Sequence, residues 1–171
     1  MPELSETVHD ADHARGGSQA EVELVMYGDF ECPFCAAAQR VLARVEQRLG
    51  DWLCLVFRHF PLDGVHPHAR AAAQAAEAAA AQGAFWDMHD ALFAARGRLA
   101  DADLVRHAEG LGLDAARVRA ELAEDTHAAR VDHDVETGRT AGVSGTPTFF
   151  ANGRMVVGAF DAGSLVEALL A

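Results

Sequence analysis

One stretch near the start of this chain constrains its fold more than any other: strand, helix and strand within about forty residues. "EVELVMY", residues 21–27, is rich in β-formers and stops at Gly28, which predicts a strand buried on both faces toward its end. "AAAQRVLARVEQRLG" then predicts a helix with Val41, Leu42, Val45 and Leu49 inward and Gly50 as its C-terminal cap. "DWLCLVFRHF" predicts a second strand, ended by Pro61. So short a βαβ unit forces a parallel strand pair with a right-handed crossover. Between the first strand and the helix stands "GDFECPFC", with two of the chain's three cysteines, Cys32 and Cys35.

From His66 to Gly142 the pattern turns helical. Pro67 suits a first helical position, and "HARAAAQAAEAAAAQG" runs Ala-rich to Gly83. "AFWDMHDALFAARG" carries two adjoining apolar stripes, Phe85, Met88, Leu92 and Trp86, Phe93. Asp101 and Asp114 are expected as N-caps of two further helices, and Asp125 as the start of a last one. β structure returns as a hairpin, with strands at residues 148–151 and 155–157 around Asn152-Gly153, and Asp161 caps a closing helix. The prediction is a single α/β domain over residues 21–171. A helical insertion, residues 66–142, divides a βαβ half from a ββα half.

The function classes narrow with charge and cysteine usage. A net charge of −12, with no lysine, argues against nucleic acid and anionic lipid as partners. No apolar run reaches the ~18–20 residues needed for membrane insertion. Residues 1–20 lack the basic start and apolar stretch of a secretory signal. They are expected to be a disordered polar leader ending at Gly16-Gly17-Ser18, with a cytoplasmic address. Three cysteines leave one unpaired in any disulfide scaffold, and Cys54 within a strand is expected as a small buried hydrophobe. Zinc would need further N/S ligands, yet the His66/His68 and His127/His133 spacings match no usual pair, so neither metal nor cofactor is expected. His59 and His89 are expected in structural hydrogen bonds near the insertion.

With these pieces in place the chain resembles the DsbA-type thiol–disulfide oxidoreductases of the thioredoxin superfamily. The likeness rests on "DFECPFC", "FRHFPL", "QGAFWDMHDALF" and "GVSGTPTFFANG", in order from about Glu21 onward. It implies a thioredoxin-like fold with Cys32 as nucleophile and Cys35 as resolving thiol. It also implies a cis-proline at Pro147, with Thr146 pairing with an extended substrate, and Pro33 and Phe34 beside the sulfur. The implied partners are disulfide- or thiol-containing proteins and an electron-transfer partner of thioredoxin or glutathione type. Cys32 at a helix start gains from unpaired N–H groups and the helix dipole, both of which favour thiolate. Phe34 cannot donate to that thiolate, and Asp29 and Glu31 are expected to oppose it by like charge. The predicted thiol pKa is therefore only moderately lowered, and the couple milder than in relatives with His between the cysteines. Met26 stands where many thioredoxin-like proteins carry a proton-relaying acid, leaving Asp29, His59 or water for that role. A reductase, isomerase or redox-stress role is expected. The competing class is a non-redox module that binds a peptide or zinc on the same fold.

Overall fold

The computed structural model describes residues 1–17, 19–158 and 160–171. Ser18, the expected end of the leader, lies outside them. The elements in chain order are β1 (His13–Gly16), β2 (Val22–Gly28), α1 (Pro33–Leu49), β3 (Leu53–His59), α2 (Ala69–Ala80), α3 (Phe85–Ala94), α4 (Asp101–Gly110), α5 (Ala115–Ala123), α6 (Ala128–Thr140), β4 (Thr148–Ala151), β5 (Arg154–Met155) and α7 (Ala162–Leu170). The five strands form one sheet in the order β1-β3-β2-β4-β5. β2 and β3 are parallel with Gly28 opposite His59, so the segments that follow them emerge side by side. β4 runs antiparallel to β2, setting Thr148 beside Tyr27 at that same end.

Both faces of the sheet are covered, which is why its central strands read as unbroken apolar runs. Leu24, Met26, Leu55, Phe57 and Phe149 point to one face, packing with Leu42 and Val45 of α1, Met88 and Leu92 of α3 and Leu165 of α7. The alternate residues Val25, Tyr27, Val56 and Phe150 point to the other, against Val131 and Val135 of α6. The α6 helix approaches closely because Gly138 has no side chain. A Cβ there would stand 2.8 Å from the Phe60 ring and 3.0 Å from Tyr27. Asp114 and Asp161 cap α5 and α7 as expected, accepting from the Arg117 and Ser164 amides.

Several expectations need correction. Asp101 is the first helical residue of α4, whose cap is Ala100; Asp103 reaches back to the Ala100 amide at 3.3 Å. Asp125 lies ahead of α6 with φ of 50° and accepts from Gln74, while His127 holds the cap position. Pro67 sits in a turn before α2 rather than in its first turn. The last strand covers Arg154–Met155 and leaves Val157 exposed. Cys54 is half-buried rather than buried.

The largest correction concerns the leader, which is folded along the described part of its length. β1 pairs antiparallel with β3, and Glu3 bridges Arg154. The cause is Arg58, an inward-facing cation on β3 that is 1% exposed. Asp12 supplies its counter-charge in two bonds of 2.9 and 2.8 Å, and the Glu6 and Thr7 carbonyls and the Tyr27 hydroxyl accept the remaining donors at 2.9, 3.3 and 3.1 Å. Leu4 and Val8 of the same arm pack against the apolar cluster on that face. A buried guanidinium must be paired and hydrogen-bonded, so the arm completes the sheet.

Candidate active site

At the carboxyl end of β2 the chain turns through Asp29, Phe30 and Glu31 into α1. Cys32 is the helix N-cap residue, and Pro33 occupies the first helical position, where a missing N–H costs nothing. Cys35 falls one turn later and is fully buried, whereas Phe34 is 68% exposed. The Thr146–Pro147 peptide, cis in this structure, meets the cysteines from the start of β4. As a thiol, Cys32 donates to the Thr146 carbonyl oxygen at 3.6 Å. The Thr146 hydroxyl is buried and has no partner among the described residues. The structure thus brings together Cys32, Pro33, Phe34, Cys35, Thr146 and Pro147 from segments more than a hundred residues apart.

The two thiols are driven in opposite directions. The hydrogen bond from Cys35 lowers the Cys32 pKa from 9.0 to about 5; burial opposes the drop, while the Cys35 and Phe34 amides assist it. Burial pushes the Cys35 thiol up, and the bond it donates to Cys32 adds to that rise. This division fits one sulfur that attacks as thiolate and one that keeps its proton in reserve.

Asp29 and Glu31 do not oppose the thiolate in the way their sequence positions suggest. The Asp29 carboxylate is buried and accepts four hydrogen bonds. Oδ1 takes the Glu31 and Cys32 amides at 2.7 and 3.2 Å. Oδ2 takes the Leu62 amide at 2.9 Å and His66 Nδ1 at 2.7 Å. Glu31 in turn accepts from the amide and ring of His68 at 2.7 and 3.0 Å. Each acid is therefore hydrogen-bonded to a histidine, and the Cys32 pKa falls further than a moderate shift, chiefly through the Cys35 hydrogen bond. His66 and His68 escaped the sequence reading of this site, which tested their spacing only for metal. The clue was the parallel β2/β3 register, because residues after "FRHFPL" must lie beside those after "VMYG".

Met26 is buried beneath the pair, and its sulfur accepts weakly from Gln39 at 3.8 Å. His59 is committed to Glu77 of α2 at 2.7 Å, and His89 contacts Asp90 at 2.8 Å. Two groups of three N/O donors could suggest a metal: His13, His59 and Glu77, and separately Glu6, His9 and His133. In the first, Glu77 Oε1 already accepts both Nε2 protons at 2.6 and 2.7 Å, while His59 Nδ1 lacks the outer partner a ligating histidine needs. In the second, His9 Nδ1 accepts the Ala11 amide, so its Nε2 carries the proton given to Glu6 rather than a free lone pair. Both groups are better satisfied as hydrogen-bond networks.

The comparisons with known proteins agree with this geometry. The chain superimposes on oxidised BdbD from Bacillus subtilis with a TM-score of 0.84 at 21% identity, covering 92% of this chain and 90% of that one. A thioredoxin-like oxidoreductase from Silicibacter pomeroyi DSS-3 gives 0.83 at 24% identity over 94% and 91% of the two chains. Pseudomonas aeruginosa DsbA2 gives 0.74 at 26% over 95% and 94%. Among curated proteins, Na(+)/H(+) antiporter NhaA 1 of Salinispora arenicola is 49% identical over 164 residues, and its counterpart in Mycobacterium sp. strain KMS is 42% identical over 164. Those alignments cover 95% and 94% of this chain but only 24% and 26% of the relatives, so the chain spans about a quarter of their length. The model of the DSBA-like thioredoxin domain matches residues 23–170, and the chain belongs to that family.

Proposed function

We propose that this protein is a dithiol–disulfide oxidoreductase working through Cys32 and Cys35. The observation that carries the reading is the placement of the two thiols: Cys32 caps the N-terminus of α1 with its sulfur 3.6 Å from the Thr146 carbonyl oxygen, and Cys35 lies fully buried one turn further in, a placement that lowers the first pKa to about 5 and pushes the second up. In the reducing direction the Cys32 thiolate attacks a substrate disulfide. A new S–S bond forms to Cys32, and the departing sulfur takes the electron pair and then a proton. Cys35 next attacks Cys32, losing its proton as it does so. The second substrate sulfur is released, and the Cys32–Cys35 pair is left oxidised. A thioredoxin- or glutathione-type dithiol or thiol returns the pair to the reduced state. Thr146 offers backbone groups to an extended substrate segment, while Pro147, Pro33 and the exposed Phe34 ring supply the apolar surround.

Reductase or isomerase work in a reducing, cytoplasmic setting is the direction we favour, because the odd thiol Cys54 suits it. The name of the curated relatives describes ion antiport. Among the described residues no helix is long and apolar enough to cross a membrane, so we assign antiport to the other three-quarters of those proteins. Insulin reduction with glutathione as the electron source tests the reading. Wild type is expected to turn over and Cys32→Ser to fall to background. Equal rates would return the chain to a non-redox, peptide- or zinc-binding role.

A further inference from the structure

Asp29 is an unusual carboxylate for its location. It is fully buried, it lies against the Cys32 amide, and three of its four donors are neutral backbone N–H groups. Only the fourth, His66 Nδ1 at 2.7 Å, can carry a positive charge. A buried carboxylate without a counter-charge would oppose a thiolate at Cys32, because like charges in a poorly solvated site disfavour one another. The imidazole also reaches outward: its side chain is 17% exposed, and among the described residues no protein group takes Nε2. It therefore exchanges protons with solvent while its other nitrogen holds Asp29. The charged groups facing it are few. Asp29 of the β2–α1 turn bonds it directly and also holds the Cys32 amide, so the Cys32 charge acts on it from the same turn, where Glu31 is paired with His68. Across the loop, Arg70 of α2 is occupied by Asp63 and Asp132.

Resting on the redox reading above, we propose that His66, acting through Asp29, is a positioning residue for Cys32: its imidazolium holds the thiolate and supplies the proton taken up by the departing substrate sulfur. When Cys32 joins the substrate in a mixed disulfide, its negative charge disappears and His66 is left with less to hold its cation. The proton passes from Nε2 through solvent to the leaving thiolate. When a thiolate is regenerated at Cys32, His66 takes a proton back. This places the acid–base partner on the loop after β3 instead of on β2, where Met26 has no proton to give. Burial lowers the His66 pKa, but the bond to Asp29 and the nearby Cys32 and Glu31 charges outweigh that and leave it raised.

The test is a thiolate-absorbance titration of Cys32 in a Cys54→Ala background, with His66→Gln and His66→Lys beside wild type. Lys keeps the charge and loses the titration; Gln loses both. His66→Gln is expected to raise the Cys32 midpoint by about one unit, and His66→Lys to keep it within a few tenths of wild type. The pH profile of Cys32 alkylation should show a second limb, above the usual imidazole range, in wild type and in neither variant. An unchanged midpoint in His66→Gln, or equal shifts in both variants, would overturn the proposal. A wild-type Cys32 that titrates in the ordinary thiol range would instead overturn the redox reading on which it rests.

Discussion

The depressed Cys32 pKa has a consequence for stability that can be worked out and measured. In the unfolded chain the thiol titrates at its ordinary value of 9.0, and in the reduced folded protein at about 5. A depressed folded pKa stabilises the fold fully above the unfolded value, and the contribution is lost as pH falls through about 5. At pH 7 the folded state holds thiolate across two of those units, an upper bound of about 2.7 kcal/mol. Cys32 is buried and its gain is shared with the Cys35 thiol that donates to it, so about 1–2 kcal/mol is the working figure. The oxidised protein has no thiolate and gains nothing from this source. Urea unfolding of reduced and oxidised protein, each at pH 7 and at pH 4, isolates the effect, because the disulfide's own constraint on the unfolded chain cancels between the two pH values. The stability of the reduced form relative to the oxidised form should fall by about 1–2 kcal/mol on acidification. The same difference makes the couple more oxidising at pH 7 by about 20–45 mV. A reduced-minus-oxidised stability difference that is independent of pH, or that rises on acidification, would refute the reasoning.

Three further outcomes follow from named contacts. Phe34→His adds a donor beside Cys32; the thiolate midpoint should drop below about 5 toward the ~3.5 of the strongest oxidants, and glutathione equilibration should show a more oxidising couple. Asp12→Ala strands the buried Arg58 charge and should cost about 3–5 kcal/mol in urea unfolding, with limited proteolysis appearing first in the N-terminal arm. Gly138→Val drives a branched side chain into the Phe60 and Tyr27 rings and should cost about 1–3 kcal/mol, read as a lower thermal midpoint with Cys32 titration unchanged.

Much of this was legible in the chain itself, for physical reasons that differ from element to element. The βαβ unit showed because β2 and β3 are buried on both faces and α1 on one, so periodicity and burial agree. Cys32 was legible because C-P-x-C at a strand-to-helix turn is a local pattern; Pro147 gained its meaning only from the family resemblance, since Gly-Thr-Pro alone reads as a plain turn before a strand. The arm was not, because its order comes from Arg58, more than forty residues away, and polar composition alone resembles disorder. His66 was hidden for a related reason. Its role depends on the register that sets the loop after β3 against Asp29, and no spacing rule along one segment reveals that. Asp29 itself was read from its charge; its four hydrogen bonds, which offset the like-charge argument, exist only in three dimensions.

Trapping the mixed disulfide tests the central claim most directly. With Cys35→Ala the resolving step is blocked, so a protein disulfide attacked by Cys32 should remain attached. On incubation with a disulfide-bonded protein, this variant is predicted to accumulate a reductant-sensitive one-to-one adduct that peptide mapping assigns to Cys32, and Cys32→Ser is predicted to form none. No adduct, or an adduct mapped to Cys54, would contradict the account.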